Sequence, residues 1–270
     1  MAYLLGMDLS HWKWPTNISD LVAAGGRFVY AKATEHTNFV DENFDEYRAQ
    51  ADELKLPFGG FHYFRVAYDP IEQARHFYSV ASGTFLTPVI DVEKANNAGL
   101  ASKELFTNKL KACLDEVQAL WGKTPMIYSS QSHWFELTTE PVWSLGYPLW
   151  VANYEVETPK LPRPWSSWVL WQFTDRYAVA GKTYDANYFN GDQAAFDAYF
   201  GAPMTLPKLI QIKSSNNVGV RDKPGGAAFS IAFKGWQFRP MEAVEDANGK
   251  LWYNLGPGWV PAANVTVVEP

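Results

Sequence analysis

The strongest constraint on the fold of this chain is an alternation that runs through its first half. Short apolar runs of strand length are each followed by a stretch with helical periodicity. Residues 3–8 lead through Ser10, His11 and Trp12 into a short helix near 18–24 that stops at Gly25 and Gly26. Residues 27–33 form a second strand, with Phe28, Tyr30 and Lys32 on one face and Val29, Ala31 and Ala33 on the other, before a charged helix over 41–55. Pro57 breaks the chain ahead of a third strand, 58–64, and Pro70 opens a helix that runs to about 81. The fourth run, 87–92, precedes the longest helix, 102–121, where Phe106, Leu110, Cys113, Leu114, Val117 and Leu120 recur at spacings of three and four. Residues 126–129 make a fifth strand with only a short helical segment, 133–137, behind it. Then the rhythm changes. Residues 147–152, 168–173 and 183–187 read as three strands joined by loops, and a last helix spans 192–200. Eight strands, of which the first five alternate with helices, predict an α/β chain closed into a barrel whose last third has lost its helices.

In such a barrel the working groups sit at the carboxyl ends of the strands. The polar residues obey that rule. Asp8 ends the first strand, Glu35 follows the second, His62 and Tyr63 end the third, and Asp91 with Glu93 ends the fourth. Ser129 and Gln131 follow the fifth, Asn153 and Tyr154 the sixth, Gln172 lies in the seventh, and Asp185 ends the eighth. The pair Asp91 and Glu93 is the sharpest of these signals. Side chains alternate along a strand, so two acids separated by one residue point the same way and share one space. That raises the proton affinity of at least one, as a general acid near neutral pH requires. Solvated acids at a strand end are the plain alternative, and the convergence of polar residues at the other strand ends favours chemistry. For Asp8, a pairing with Lys32 on the next strand is as reasonable as a catalytic role, Asp185 could be structural, and Glu35 could simply be solvated.

Aromatic residues are abundant, with twelve Trp, fourteen Tyr and seventeen Phe. Trp12, Trp134, Trp150 and Tyr154 are candidates to stack on sugar rings, with core or rim packing as the competing role for each. A net charge of −6 and the lack of a Lys/Arg stripe argue against nucleic acid and anionic membrane as partners. The single cysteine, Cys113, falls on the apolar side of its helix and is expected in the core. Five scattered His and one Cys form no metal cluster, and nothing in the sequence calls for a cofactor.

Residues 202–207, Ala-Pro-Met-Thr-Leu-Pro, have linker composition and divide a catalytic barrel, 1–201, from a region of different character, 208–270. Beyond the linker, short runs at 209–212, 219–221, 237–243, 251–254 and 258–261 are punctuated by Gly and Pro, which predicts a small all-β barrel.

Seven stretches carry a resemblance. They are Gly6-Met7-Asp8-Leu9-Ser10, Ala31-Lys32-Ala33-Thr34-Glu35, Asp91-Val92-Glu93, Tyr128-Ser129-Ser130, Leu149-Trp150-Val151-Ala152-Asn153-Tyr154, Trp171-Gln172-Phe173 and Asp185-Ala186-Asn187. In order and spacing they resemble the glycoside hydrolase family 25 muramidases, a group that includes phage endolysins. The resemblance implies an irregular TIM-like barrel of five β/α units followed by three β-strands, and hydrolysis of the β-1,4 bond between N-acetylmuramic acid and N-acetylglucosamine in peptidoglycan. It also implies Glu93 as general acid, Asp91 as its neighbouring carboxylate, and Asp8 and Asp185 as the acids completing the cleft. Lys32, His62, Tyr63, Trp150, Asn153, Tyr154 and Gln172 are the candidate substrate-binding residues. Family members often read Gly-aromatic-Tyr-His-Phe where this chain reads Gly60-Phe61-His62-Tyr63-Phe64, so whether His62 or Tyr63 faces the sugar stays open. The carboxyl-terminal region resembles bacterial SH3-like wall-binding domains through Val218-Gly219-Val220-Arg221-Asp222-Lys223-Pro224, Leu251-Trp252-Tyr253 and Gly258-Trp259-Val260-Pro261.

Paired carboxylates fit glycosidic cleavage on chemical grounds as well, since one can protonate the leaving oxygen while another stabilises an oxocarbenium-like centre. Covalent, direct-water and substrate-assisted routes all remain open at this level. A chitinase-like hydrolase and a non-catalytic wall-binding protein are the competing functions. The apolar amino terminus has no basic region and reaches Asp8 quickly, so it reads as a strand and not a signal peptide. The expectation is therefore a monomeric endolysin made in the host cytoplasm and released to the wall with the help of a holin.

Overall fold

A computed structural model describes residues 3–12, 16–201, 209–213, 218–240, 242–246, 248–256 and 258–268. The chain divides into two compact units, Met1–Pro203 and Met204–Pro270. The proposed linker, 202–207, lies outside the described residues.

The first unit contains strands β1 (Leu4–Leu9), β2 (Val29–Glu35), β3 (Phe39–Val40), β4 (Phe58–Tyr63), β5 (Val89–Asp91), β6 (Met126–Ser130), β7 (Leu149–Ala152), β8 (Leu170–Val179) and β9 (Lys182–Phe189). Its helices are α1 (Ile18–Ala23), α2 (Phe44–Leu54), α3 (Pro70–Ala81), α4 (Lys103–Trp121), α5 (Gln131–Leu137) and α6 (Gln193–Phe200). The strands run in the order β1-β9-β8-β7-β6-β5-β4-β2-β3, and a further β1–β2 pairing closes eight of them into a barrel, with β3 attached to β2. Neighbours are parallel from β1 through β2, β4, β5, β6 and β7 to β8. The eighth barrel strand, β9, is antiparallel to both β8 and β1. Two antiparallel strands can be joined by a tight turn, so β8 and β9 need no crossover helix between them.

Local signals place the helices. Asp69 accepts hydrogen bonds from the backbone N–H groups of Ile71 and Glu72, and Pro70 sits where an unpaired N–H would otherwise be left. Ser102 caps α4, and Gly122, at φ 65°, ends it in the left-handed conformation. Cys113 is buried with the apolar face of α4.

Two cores result from strand alternation. One fills the barrel with Phe28, Tyr30, Phe61, Met126, Trp150 and Leu170, among others. The other includes Val29, Ala31, Ile90, Ile127 and Val151 from the opposite strand faces, together with helix residues such as Phe77, Leu110 and Leu114. Each fully buried large apolar side chain contributes about 1.5–3 kcal/mol. Glycines make room for the inner rings. A Cβ on Gly6 would stand 2.2 Å from the Phe28 ring, and one on Gly59 would stand 2.5 Å from the Tyr30 ring.

The second unit is built from β10 (Ile210–Ile212), β11 (Val218–Arg221), β12 (Ala228–Ala232), β13 (Gln237–Phe238), β14 (Glu242–Glu245), β15 (Leu251–Asn254), β16 (Trp259–Pro261) and β17 (Val265–Val267). They form sheets ordered β13-β10-β17 and β12-β11-β16-β15-β14, around a core that includes Ile210, Ile212, Val220, Val260 and Val265. The single run expected at 237–243 is split between β13 and β14, and β12 and β17 are additional. The first four residues of β12 are exposed, so it shows no inside–outside alternation for a sequence pattern to register.

Candidate active site

Each barrel strand turns every second side chain inward, and at the carboxyl ends of the parallel strands those side chains enclose a cleft of about 410 Å³. Asp8, Lys32, Asp91, Glu93 and Asp185 line it, with Trp12, Tyr63, Tyr128, Trp150, Tyr154 and Gln172. Because β9 runs antiparallel, Asp185 near its beginning lies at the same end, directly opposite Asp8 in the register. All four candidate acids are thus brought to one space.

Asp8 is held by the strands that close the barrel. Its Oδ2 accepts hydrogen bonds of 2.8 Å from Gln172 Nε2 and 2.8 Å from Asn187 Nδ2. Gln172 Oε1 in turn accepts from the hydroxyls of Tyr128 and Tyr154, both at 2.7 Å. Asn187 Oδ1 accepts from Trp150 Nε1 at 2.8 Å. This network orients side chains from five strands or strand ends, so none of them has to be ordered when a ligand arrives.

Asp91 and Glu93 both have raised proton affinity, and burial is the largest cause for each. The charges of Glu93, Asp8 and Glu35 push Asp91 further up, against the pull of Lys32. For Glu93, Asp185 adds to the rise while Lys32 opposes it. Asp91 is only 5% exposed, and its Oδ1 has no hydrogen-bond partner among the described residues. Burial thus raises Asp91 as well as Glu93, so each carboxyl favours its neutral form more than a free one would.

Lys32 is buried, and its Nζ lies 2.6 Å from Glu35 Oε2 and 4.9 Å from the centre of the Tyr63 ring. Glu35 also pairs with Arg65. Burial works to raise the Glu35 carboxyl, but hydrogen bonds and charge from Lys32 and Arg65 outweigh it and hold the group below its ordinary value. Glu35 is thus an anchored wall of the cleft and not a solvated acid.

Four other expectations are corrected by strand phase and packing. His62 points away from the cleft; it is fully buried, with Nδ1 2.8 Å from Thr34 Oγ1 and Nε2 3.2 Å from Gln73 Oε1. Tyr63 is the residue that faces the cleft, and its hydroxyl donates to the Ala95 carbonyl at 2.7 Å. Asn153 is not among the cleft-lining residues; its Oδ1 accepts from the Lys160 N–H at 2.8 Å, which ties down the loop after β7. Trp134 is completely buried against Trp165, so it cannot stack on a ligand. Ser129 is buried too, with its hydroxyl donating to the Val92 carbonyl. Trp12, by contrast, is 80% exposed at the cleft edge. Phe61 and Tyr128 line the cleft although the strand-end reading did not select them; each lies two residues along its strand from another inward position, and that period was the signal.

Among the described residues no group of three or more His, Cys, Asp or Glu could hold a metal ion. No helix among them is long and apolar enough to cross a membrane.

The comparison with known proteins agrees with this geometry. A lysozyme of Streptomyces globisporus is 30% identical over 204 residues, covering 70% of this chain and 68% of that one. An N,O-diacetylmuramidase of Chalaropsis is 29% identical over 202 residues, covering 69% of this chain and 93% of its own length. The solved structure of a bacterial lysozyme from Streptomyces coelicolor superposes with a TM-score of 0.69 at 28% identity, over 74% of this chain and 98% of that chain. The family model for glycosyl hydrolases family 25 matches residues 7–182, from Met7 within β1 through β8 to the first residue of β9, and this chain belongs to that family.

Proposed function

We propose that this protein hydrolyses the β-1,4 bond between N-acetylmuramic acid and N-acetylglucosamine in peptidoglycan. The observation that carries the reading is the pair of buried Asp91 and half-buried Glu93, both carboxyls raised above their ordinary values, sharing one cleft with Asp8 and Asp185. Family membership and the lysozyme and muramidase relatives support the choice of substrate.

In this reading Glu93, whose side chain is 30% exposed, gives its proton to the leaving glycosidic oxygen. The C–O bond to that oxygen breaks, and positive charge develops on the sugar left behind. Asp91, deeper in the cleft, stabilises that charge or an oxazolinium formed by the sugar's own N-acetyl group. A water then adds to the sugar carbon and returns a proton to the carboxylates, so no proton is gained or lost overall. Tyr63, Trp150, Tyr154 and Gln172 shape the cleft for the flat faces and hydroxyls of the sugars.

The second unit serves as an SH3-like module that holds the enzyme on the wall and raises the local substrate concentration. The biological setting is that of a phage endolysin acting on the wall after release from the cytoplasm, with the enzyme working as a monomer. Digestion of purified peptidoglycan followed by mass spectrometry of the new ends tests the chemistry. Muramic acid reducing ends are expected; N-acetylglucosamine ends or freed peptides would overturn it.

A further inference from the structure

His133 stands beside the proton donor without a role in the chemistry described so far. It is the third residue of α5, where its backbone N–H donates to Ser130 Oγ at 3.1 Å, so the helix cap fixes where the side chain begins. Its Nδ1 is buried and has no hydrogen-bond partner among the described residues. The nearest acidic oxygen is Glu93 Oε2, 3.7 Å away. A buried ring nitrogen left without a partner costs free energy, and an approach of well under 1 Å would satisfy it. Gaps of this kind in unliganded enzymes commonly close in the substrate complex.

The surroundings decide which species the ring presents. Glu93 and Lys94, from the chain after β5, and Glu136, on α5 itself, are the charged groups facing it. Lys94 is also paired with Glu136, at 2.7 Å. Burial and the Lys94 charge hold His133 below its ordinary value against the pull of Glu136, which keeps the imidazole neutral at neutral pH. A neutral imidazole can donate through Nδ1 without the positive charge that would strip Glu93 of its proton.

We infer that His133 is a positioning residue for the general acid, donating its Nδ1–H to Glu93 Oε2 during cleavage. With Oε2 engaged as acceptor, the acidic proton is confined to Oε1, the oxygen left for the substrate. As the proton passes from Oε1 to the glycosidic oxygen, Glu93 becomes a carboxylate and the His133 bond becomes charge-assisted. That bond is stronger in the transition state than in the ground state, which is the condition for raising kcat.

The inference rests on Glu93 being the acid, and the test separates the two. On soluble, uncrosslinked glycan strands, His133→Leu is expected to lower kcat about tenfold or more with KM within about twofold. His133→Asn, whose amide N–H can occupy the place of Nδ1–H, should recover most of the loss. His133→Gln, which places its amide nearer the position of Nε2, should not. Wild-type kcat in His133→Leu overturns the inference, and so does equal impairment of the Asn and Gln variants, which marks a packing role. Should the Leu variant fail to fold, the Asn and Gln pair alone decides. Glu93→Gln, assayed alongside, addresses the acid itself: activity retained there removes the underlying reading, whereas an inactive Glu93→Gln with a normal His133→Leu removes only the role of His133.

Discussion

Asp91 places a carboxyl in a site 5% exposed, with one oxygen unpartnered among the described residues and three other acids raising its proton affinity. Its proton affinity in the folded protein lies above the ordinary value, so the native state binds more protons than the unfolded chain as pH rises from that value. Stability falls as pH climbs through that window and is regained below it. Asp91→Asn should therefore unfold at a higher temperature than the wild type at pH 7, with the difference vanishing below the ordinary carboxylate range. A gain of about 1 kcal/mol corresponds to roughly 2–4 °C for a unit of this size. A melting temperature at pH 7 equal to or below the wild type's would contradict this account. On the proposed assignment of Glu93 as general acid, Glu93→Gln removes the donor at nearly constant volume, and a loss of about a hundredfold or more in kcat is expected from peptidoglycan digestion assays.

Strand phase is the property that matters at the scale of elements, and β4 shows it most clearly. Phe61 and Tyr63 face the cleft while His62 is pushed down to about 3 by burial, against a pull from Gln73. A neutral buried His is lost as a stabilising feature when it must charge, so stability should fall as pH drops from about 6.5 toward 3, by up to about 1.4 kcal/mol per pH unit. Urea unfolding at pH 6.5 and 5.0 measures this slope above most carboxylate titration, and His62→Gln should flatten it. Gly6→Ala tests the inner face of β1. Its methyl would meet the Phe28 ring, itself stacked on Phe196 at 5.3 Å, and a cost of roughly 1–3 kcal/mol in urea unfolding is expected. The eight barrel strands, the approximate helix limits and the gathering of Asp8, Asp91, Glu93 and Asp185 were legible from periodicity and strand ends, whereas the short β3 and, in the second unit, β12 and β17 were not. The phase of β4 was not, because Phe61-His62-Tyr63-Phe64 offers an aromatic side chain on either face. Phase there is set by pairing with β2, whose register slips between Lys32 and Thr34, a tertiary fact that no local pattern carries.

At the scale of the molecule, the two units have separate cores, so the barrel should fold without the second one. A chain ending at residue 203 is expected to cleave soluble glycan strands at close to the full-length rate while sedimenting less with intact walls; undiminished sedimentation would contradict the tethering role. Closure of the barrel has a consequence for synthesis. Strand β1 is completed on one side only by β9, and Asp8 is held by Gln172 and Asn187, at separations in sequence of 164 and 179 residues. A chain leaving the ribosome thus carries its first acid from the outset but cannot assemble the cleft until nearly the whole unit has emerged. At about 5–20 residues per second that leaves many seconds in which a growing chain is chemically silent. A fragment that stops short of β9 lacks both Asp185 and the Asn187 amide that holds Asp8, so it should show no activity on glycan strands.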